Sequence, residues 1–379
     1  MTEAEMDYDL AIVGSGSVGA AAGYYAALAG LNVALFDRHS PPHRLGSHHG
    51  DTRLMRHTDA ITPQYAALAL RSQRLWLALE EISALPLFHR CGVLSLGPRH
   101  SAFMRGIQAS AHQQGVTLDL LSREALVERW PTIRLPETYA ALLEPDAGYL
   151  KCHLAIATLI EKAADLGARL HFDCPLHTLQ AEGDGVRLCA PQGDWHARRV
   201  IVCAGSGTHS LLPALPLRIW CKPFAWYQAG ASFSEARHFP ALHTLTPQGR
   251  YFYSFPAVDG ALKAGRYDGG LPIVPPAHCP SARDAREDEA IHDYLQQFLP
   301  QVGPCLRGEI ASVASTPDDR LILDRLPGTS AIIVVAGLGS QGFKFAPALA
   351  ELALALAHDE MPALDLSPFR LDRWGTPAH

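Results

Sequence analysis

The sharpest chemical signal in the chain is Gly14-Ser15-Gly16-Ser17-Val18-Gly19, with Asp37 and Arg38 following 23 and 24 residues after Gly14. In a G-x-G-x-x-G loop the first glycine permits a tight turn. The second lets the backbone approach a pyrophosphate, and the third lets a helix pack closely on a strand. The helix that follows offers free N–H groups and a positive dipole end to the phosphates. A carboxylate such as Asp37 accepts hydrogen bonds from a ribose. A second polar concentration is Gly46-Ser47-His48-His49-Gly50-Asp51-Thr52-Arg53-Leu54-Met55-Arg56-His57. It is poor in apolar periodicity and reads as a functional loop leading to a short helix. Taken alone, Arg53 and Arg56 read as surface ion-pair residues. Lys344 lies between Phe343 and Phe345, an unusual setting for a surface lysine.

The elements needed to hold the first motif are present. Leu10–Val13 extends a β-type run from Tyr8, Ala20–Leu28 is Ala-rich and helical, and Asn32–Phe36 reads as a second strand ending at Asp37. Strand, glycine loop, helix, strand and acid in that order point to dinucleotide binding, although the motif does not separate NAD from FAD. Helices are expected at 64–83, 99–115, 150–167, 284–299 and 346–357. Strands are expected at 91–96, 168–173, 175–181, 185–190, 199–203 and 332–335. Residues 219–270 alternate aromatic and polar positions, as in an antiparallel sheet, and Trp226 and Tyr227 read as its core. Nucleotide-type units thus occur at the start, middle and end, with sheet-like insertions between them. The expected architecture is α/β with mixed sheets, in two interleaved domains.

Composition narrows the function. The chain has 379 residues, 48% of them hydrophobic and 18% charged, enough to bury about two domain cores and too apolar for a disordered chain. Lys plus Arg is 32 against 38 Asp plus Glu, a net charge of −6, so a dedicated nucleic-acid partner is not expected. Eight cysteines are scattered without a C-x-x-C pair, and no disulfide framework is expected at this density. Met1–Asp9 carries four acids and no basic residue, unlike a secretory or transit leader, so a cytoplasmic protein without a membrane span is expected. His48 and His49 have no second cluster of ligating residues, so no metal is expected.

The chain resembles the monomeric sarcosine oxidase and N-methyltryptophan oxidase family of FAD-dependent amine oxidases. The segments that carry the resemblance are Gly14–Gly23, Gly46–His57, Arg129-Trp130-Pro131, Ile201–Gly205, Phe224–Gln228, Phe255–Gly270, Gly337–Phe345 and Leu366–Leu371. It implies a glutathione-reductase-type FAD domain (1–88, 148–218 and 308–379) interleaved with a substrate domain (89–147 and 219–307) on a mixed sheet. It places Gly14 to Gly19, Asp37, Arg38, Ser47, His48, His49, Thr52, Gly205, Gly337, Gly342, Phe343 and Lys344 against FAD. Lys263 falls where the family activates dioxygen, and Arg53 where an arginine lies against the flavin. Arg56 and Lys344 fall at the pair that holds a substrate carboxylate, with Tyr253 lining the site. The implied reaction is oxidation of a carboxylate-bearing secondary amine (an N-methyl or cyclic amino acid) to an imine, with O₂ reduced to H₂O₂, by a monomer. Other readings are a biosynthetic enzyme that dehydrogenates an unusual amino acid, and a flavin-binding protein without turnover.

Three departures bear on the cavity. The family attaches FAD through a cysteine whose position is Ala311 here, and alanine has no nucleophile. Cys305, six residues upstream, is displaced by about 20 Å if the segment is a strand. Noncovalent FAD is therefore expected. A substrate-site histidine of the family is replaced by Tyr267. The histidine of its Gly-His-Gly-Phe-Lys run is Gln341, which hydrogen-bonds but does not titrate. The loop Thr58-Asp59-Ala60-Ile61-Thr62-Pro63 also differs.

Overall fold

The computed structural model describes residues 7–59, 62–274 and 279–375. The acidic start over residues 1–6, and Ala60 and Ile61 of the divergent loop, lie outside the described residues. The strand Tyr8–Val13 runs parallel to Val33–Phe36 on one side and to Gly193–Val202 on the other. Ile332–Ala336 adds in parallel beyond Gly193–Val202, and Arg169–His171 beyond Val33–Phe36. Residues 10–13, Val33–Phe36, residues 200–202 and Ile332–Ala336 read as unbroken apolar runs because both faces are covered there, as parallel sheets require. Leu10, Ile12, Leu35, Ile201 and Ile333 face one core, and Ala11, Val13, Phe36, Val202 and Val334 face another.

The helix Ser17–Leu28 packs against Cys152–Asp165 and Ala346–Ala357. It is apolar on nearly every side, because it is enclosed by helices and by the sheet. Its glycines are forced by close approach. A Cβ on Gly23 would lie 2.7 Å from Leu35, and one on Gly19 would lie 1.8 Å from the Gly14 carbonyl.

The second sheet has nine strands and is mixed: Val93–Pro98 and Ala241–Leu245 are parallel, and the other pairs are antiparallel. Period-2 alternation sorts its residues. Ala225, Tyr227, Leu242, Phe252, Leu262 and Ala264 pack with Ile291, Leu295 and Phe298 of the helix Ala285–Phe298. Their neighbours Phe224, His243, Tyr253 and Lys263 point to the other face. Trp226 and Tyr227 are both buried, as expected of sheet core. Cys305–Ser315 is one continuous strand paired along Arg218–Gln228, and the 307/308 boundary falls inside it.

Two expectations need correction. The polar segment Gly46–His57 does not lead to a short helix. Thr52–Met55 is a strand, antiparallel to Gly148–Lys151, because a partner 93 to 99 residues away in register (Thr52 with Lys151, Met55 with Gly148) supplies its backbone bonds. That pairing also delays the following helix, which starts at Cys152 rather than 150. The cysteines, too, are not all unpaired. Cys221 and Cys279 form a disulfide with Cα atoms 5.4 Å apart. Cys221 faces Leu271 across the ladder, so strand pairing brings the two segments together.

Candidate active site

A cavity of about 1260 Å³ runs from the glycine loop to Lys344, between the two large sheets. At one end, Gly14 turns with φ +96°, and a Cβ there would sit 2.5 Å from Ala204. Gly16, by contrast, faces open space, where a Cβ would meet only His48 Nδ1 at 3.5 Å. The helix Ser17–Leu28 begins there without a side-chain cap, so its first N–H groups point into the cavity unclaimed. The Ser15 and His39 amides donate to the Asp37 carboxylate at 2.7 and 3.0 Å, and His43 Nε2 lies 3.4 Å from it. Burial would raise the Asp37 pKa, but these hydrogen bonds hold it below its ordinary value. His48 accepts from the His43 amide at 3.2 Å. Burial, with His43 beside it, pushes His48 down to about 3, so it is neutral.

The other end holds the cations. Arg56 donates to the Thr58 carbonyl and lies 3.8 Å from Asp59. Behind it, Glu144 is buried and accepts from the His57 amide at 2.9 Å, with further bonds from the Thr58 amide and hydroxyl, which fixes the turn. Lys344, 2% exposed, donates to the Arg56 carbonyl at 3.2 Å and lies 4.6 Å from the Phe345 ring. Among the described residues no carboxylate reaches salt-bridge distance of its Nζ. Burial, then the Arg56 charge, pushes its ammonium down to about 7. The Trp76 indole donates to the Lys344 carbonyl at 3.1 Å and stacks on Phe343, which anchors this corner to the helix Pro63–Ser83.

The expected site residues are largely gathered. Gly14, Gly16, Ser17, Val18, Asp37, Arg38, Ser47, His48, His49, Thr52, Arg53, Arg56, Gly205, Tyr253, Tyr267, Gly337, Gln341, Gly342, Phe343 and Lys344 all line the cavity. Ser15 and Gly19 do not. The first is spent on Asp37, and the second packs on Gly14. Arg53 is held by the carbonyls of Ser47, His49 and Thr52 at 2.7 to 2.8 Å. The Ser47 hydroxyl donates to Ser312 on the strand Cys305–Ser315. Gln341 Oε1 is sealed from solvent without a hydrogen-bond partner. Burial pushes Tyr267 up to about 12.

Lys263 stands behind the wall rather than on it. Its ammonium donates to the Gly50 carbonyl and to Thr52 O and Oγ1 at 3.0 and 3.4 Å, and it lies 4.8, 5.1 and 5.8 Å from the rings of Phe224, Phe255 and Trp226. Burial, then Arg53, drives its pKa well down, while the oxygens and ring faces favour the cation. Ala311 lines the cavity opposite Lys222 on the neighbouring strand. Cys305 is exposed on the same strand, about 20 Å away by strand rise.

Sequence reasoning missed His243 and Lys222, which also line the cavity. Both lie in runs that show only alternation, and nothing in the sequence distinguishes them from sheet residues facing solvent.

Residues 9–356 match the family model described as FAD dependent oxidoreductase. The chain is 43% identical to an N-methyl-L-tryptophan oxidase of Yersinia pestis over 370 residues, covering 97% of this chain and 100% of that one. Among solved structures, NikD, an unusual amino acid oxidase essential for nikkomycin biosynthesis, superposes with TM-score 0.83 at 24% identity over 97% and 98% of the two chains. L-proline dehydrogenase from P. horikoshii does so with TM-score 0.86 at 18% identity over 98% of each. At these identities the structural matches speak to the fold.

Proposed function

Because this chain belongs to the FAD dependent oxidoreductase family, we propose that it oxidises a carboxylate-bearing secondary amine, an N-methyl or cyclic amino acid, to an imine, with O₂ as acceptor. The observation that carries this reading is the pair Arg56 and Lys344. They are two buried cations in one wall, and one of them has no carboxylate partner of its own. A buried charge left unpaired is costly, and an incoming carboxylate relieves it. The 43% identity to an N-methyl-L-tryptophan oxidase supports the substrate class.

The residues present fit FAD. The open space at Gly16, the uncapped helix start and the Asp37 carboxylate suit a pyrophosphate and a ribose. When bound, FAD supplies the two-electron acceptor for the carbon–nitrogen bond and the donor to O₂. Arg56 and Lys344 fix the carboxylate and so orient the amine, which makes the reaction effectively intramolecular. Tyr253, Tyr267 and Phe255 line the cavity, where their rings would pack around the substrate. Arg53 holds a positive charge at the wall. Imine hydrolysis releases formaldehyde where the oxidised carbon is a methyl group.

Anaerobic mixing with N-methyl and cyclic amino acids should bleach the flavin absorbance. Absence of bleaching with every carboxylate-bearing amine would remove the proposal. Ala311 offers no thiol, so acid precipitation should leave a colourless pellet and free FAD. Flavin that stays with the pellet would show a covalent link. The resemblance assigns Lys263 to O₂ activation, and its ammonium sits behind Thr52 of the cavity wall. Lys263→Met should therefore slow reoxidation by O₂ about 100-fold and leave anaerobic reduction little changed. Equal slowing of both half-reactions would contradict that role.

A further inference from the structure

His243 carries chemistry that the reading above does not use. It lies on the strand Ala241–Leu245, is 5% exposed, and forms part of the cavity wall. Its ring is fixed by Phe103, edge-on at 5.0 Å, and by Tyr251, stacked at 6.3 Å. Tyr267 is 6.3 Å away, and Tyr253 lies directly across the ladder. Among the described residues no group hydrogen-bonds to the ring, and Nδ1 is sealed from solvent without a partner. Nδ1 leaves no room for a ligand, so the ring meets one through Nε2, the ring nitrogen that is not sealed in this way. The charged groups whose fields reach the ring are Arg56 and Lys344.

We propose that His243 is a third hydrogen-bond donor to the substrate's carboxylate, beside Arg56 and Lys344. This rests on the carboxylate reading of the cavity. Two cations and a neutral donor lining one cavity match an anionic group whose oxygens only accept, so the substrate class is a free amino acid rather than its uncharged amide or ester. The ring acts as donor rather than as base for the amine. Burial, then the two cations beside it, hold the imidazole neutral and weakly basic, and a neutral ring still presents one N–H. The packing against Phe103 and Tyr251 holds the ring in place before the ligand arrives, so little rotamer entropy is lost on binding.

The test is a flavin-absorbance titration of the FAD-loaded enzyme with cyclopentanecarboxylate and with cyclopentanecarboxamide, neither of which has an amine to oxidise. The parent enzyme should prefer the carboxylate. His243→Leu should weaken the carboxylate about tenfold and leave the amide unchanged. His243→Gln, which keeps an amide donor of similar reach, should stay within about threefold of the parent. No loss in His243→Leu, equal loss of both probes, or no rescue by His243→Gln overturns the proposal. If Arg56→Met abolishes the preference while His243→Leu retains it, the His243 assignment alone falls. If the parent shows no preference for the carboxylate, the carboxylate reading falls and takes this one with it.

Discussion

Lys344→Met is expected to lower kcat/KM for a carboxylate-bearing secondary amine by about 100-fold, chiefly through KM, while leaving the protein at least as stable as the parent. Removing one partner of a desolvated, hydrogen-bonded charge pair costs about 3 kcal/mol, which is about 100-fold. Methionine keeps the length of the side chain and suits the contacts with Phe345 and the Arg56 turn. Stability moves the other way, because the Lys344 ammonium is buried without a carboxylate in reach. Its folded value is pushed down to about 7 from an ordinary 10.5. Between these values the unfolded chain binds the proton that the folded chain has lost, so unfolding takes up protons and stability rises with pH. The penalty is therefore full below about pH 7 and relieved above it. Carboxylate binding needs the ammonium form, so kcat/KM should fall as pH rises through about 7, and Lys344→Met should lack that limb. A Lys344→Met enzyme that keeps both its kcat/KM and the limb would remove Lys344 from the site.

Gly16→Val is expected to give a folded, colourless protein. The backbone at Gly16 has φ −71°, which any residue adopts, and a Cβ there meets only His48 at 3.5 Å. The fold thus accepts the side chain, which projects into the space in front of the helix start. Forcing branched methyl groups between the backbone and a bound pyrophosphate should cost about 3 kcal/mol of FAD affinity, about 100-fold. The check is the 450 nm absorbance per protein, together with melting temperatures of the stripped parent and variant, which should agree. Yellow Gly16→Val protein with full FAD would contradict the assignment of this turn. Gly19→Ala provides the contrast. Its Cβ would lie 1.8 Å from the Gly14 carbonyl, so the strand–helix turn itself must move and the stripped protein should melt lower.

The difference between those two glycines shows where sequence reading stops. Both belong to one motif, and the spacing alone names a nucleotide site. Only the structure shows that Gly16 faces open space while Gly19 faces a carbonyl. Arg56 was legible only through the resemblance that its polar string carries, since alone it reads as a surface ion-pair residue, whereas Lys344 stands out because two phenylalanines flank it. His243 was not legible. In Ala241–Leu245 every residue is buried, so the pattern gives no hint that one face meets a core and the other a cavity.

By itself the sequence determined the local devices. These are the Tyr8–Val13 strand and Ser17–Leu28 helix around the glycine loop, Asp37 at the end of the next strand, and alanine rather than cysteine at position 311. Such features are encoded within a few residues, by backbone freedom, helix propensity and side-chain chemistry. Tertiary structure alone decided that Thr52–Met55 is a strand, that Cys221 meets Cys279, that Lys263 sits behind Thr52, and that His243 shares a wall with Arg56 and Lys344. Each of these depends on contacts between segments far apart in the chain, and for Lys263 and His243 a one-residue slip in strand register would turn the side chain to the opposite face.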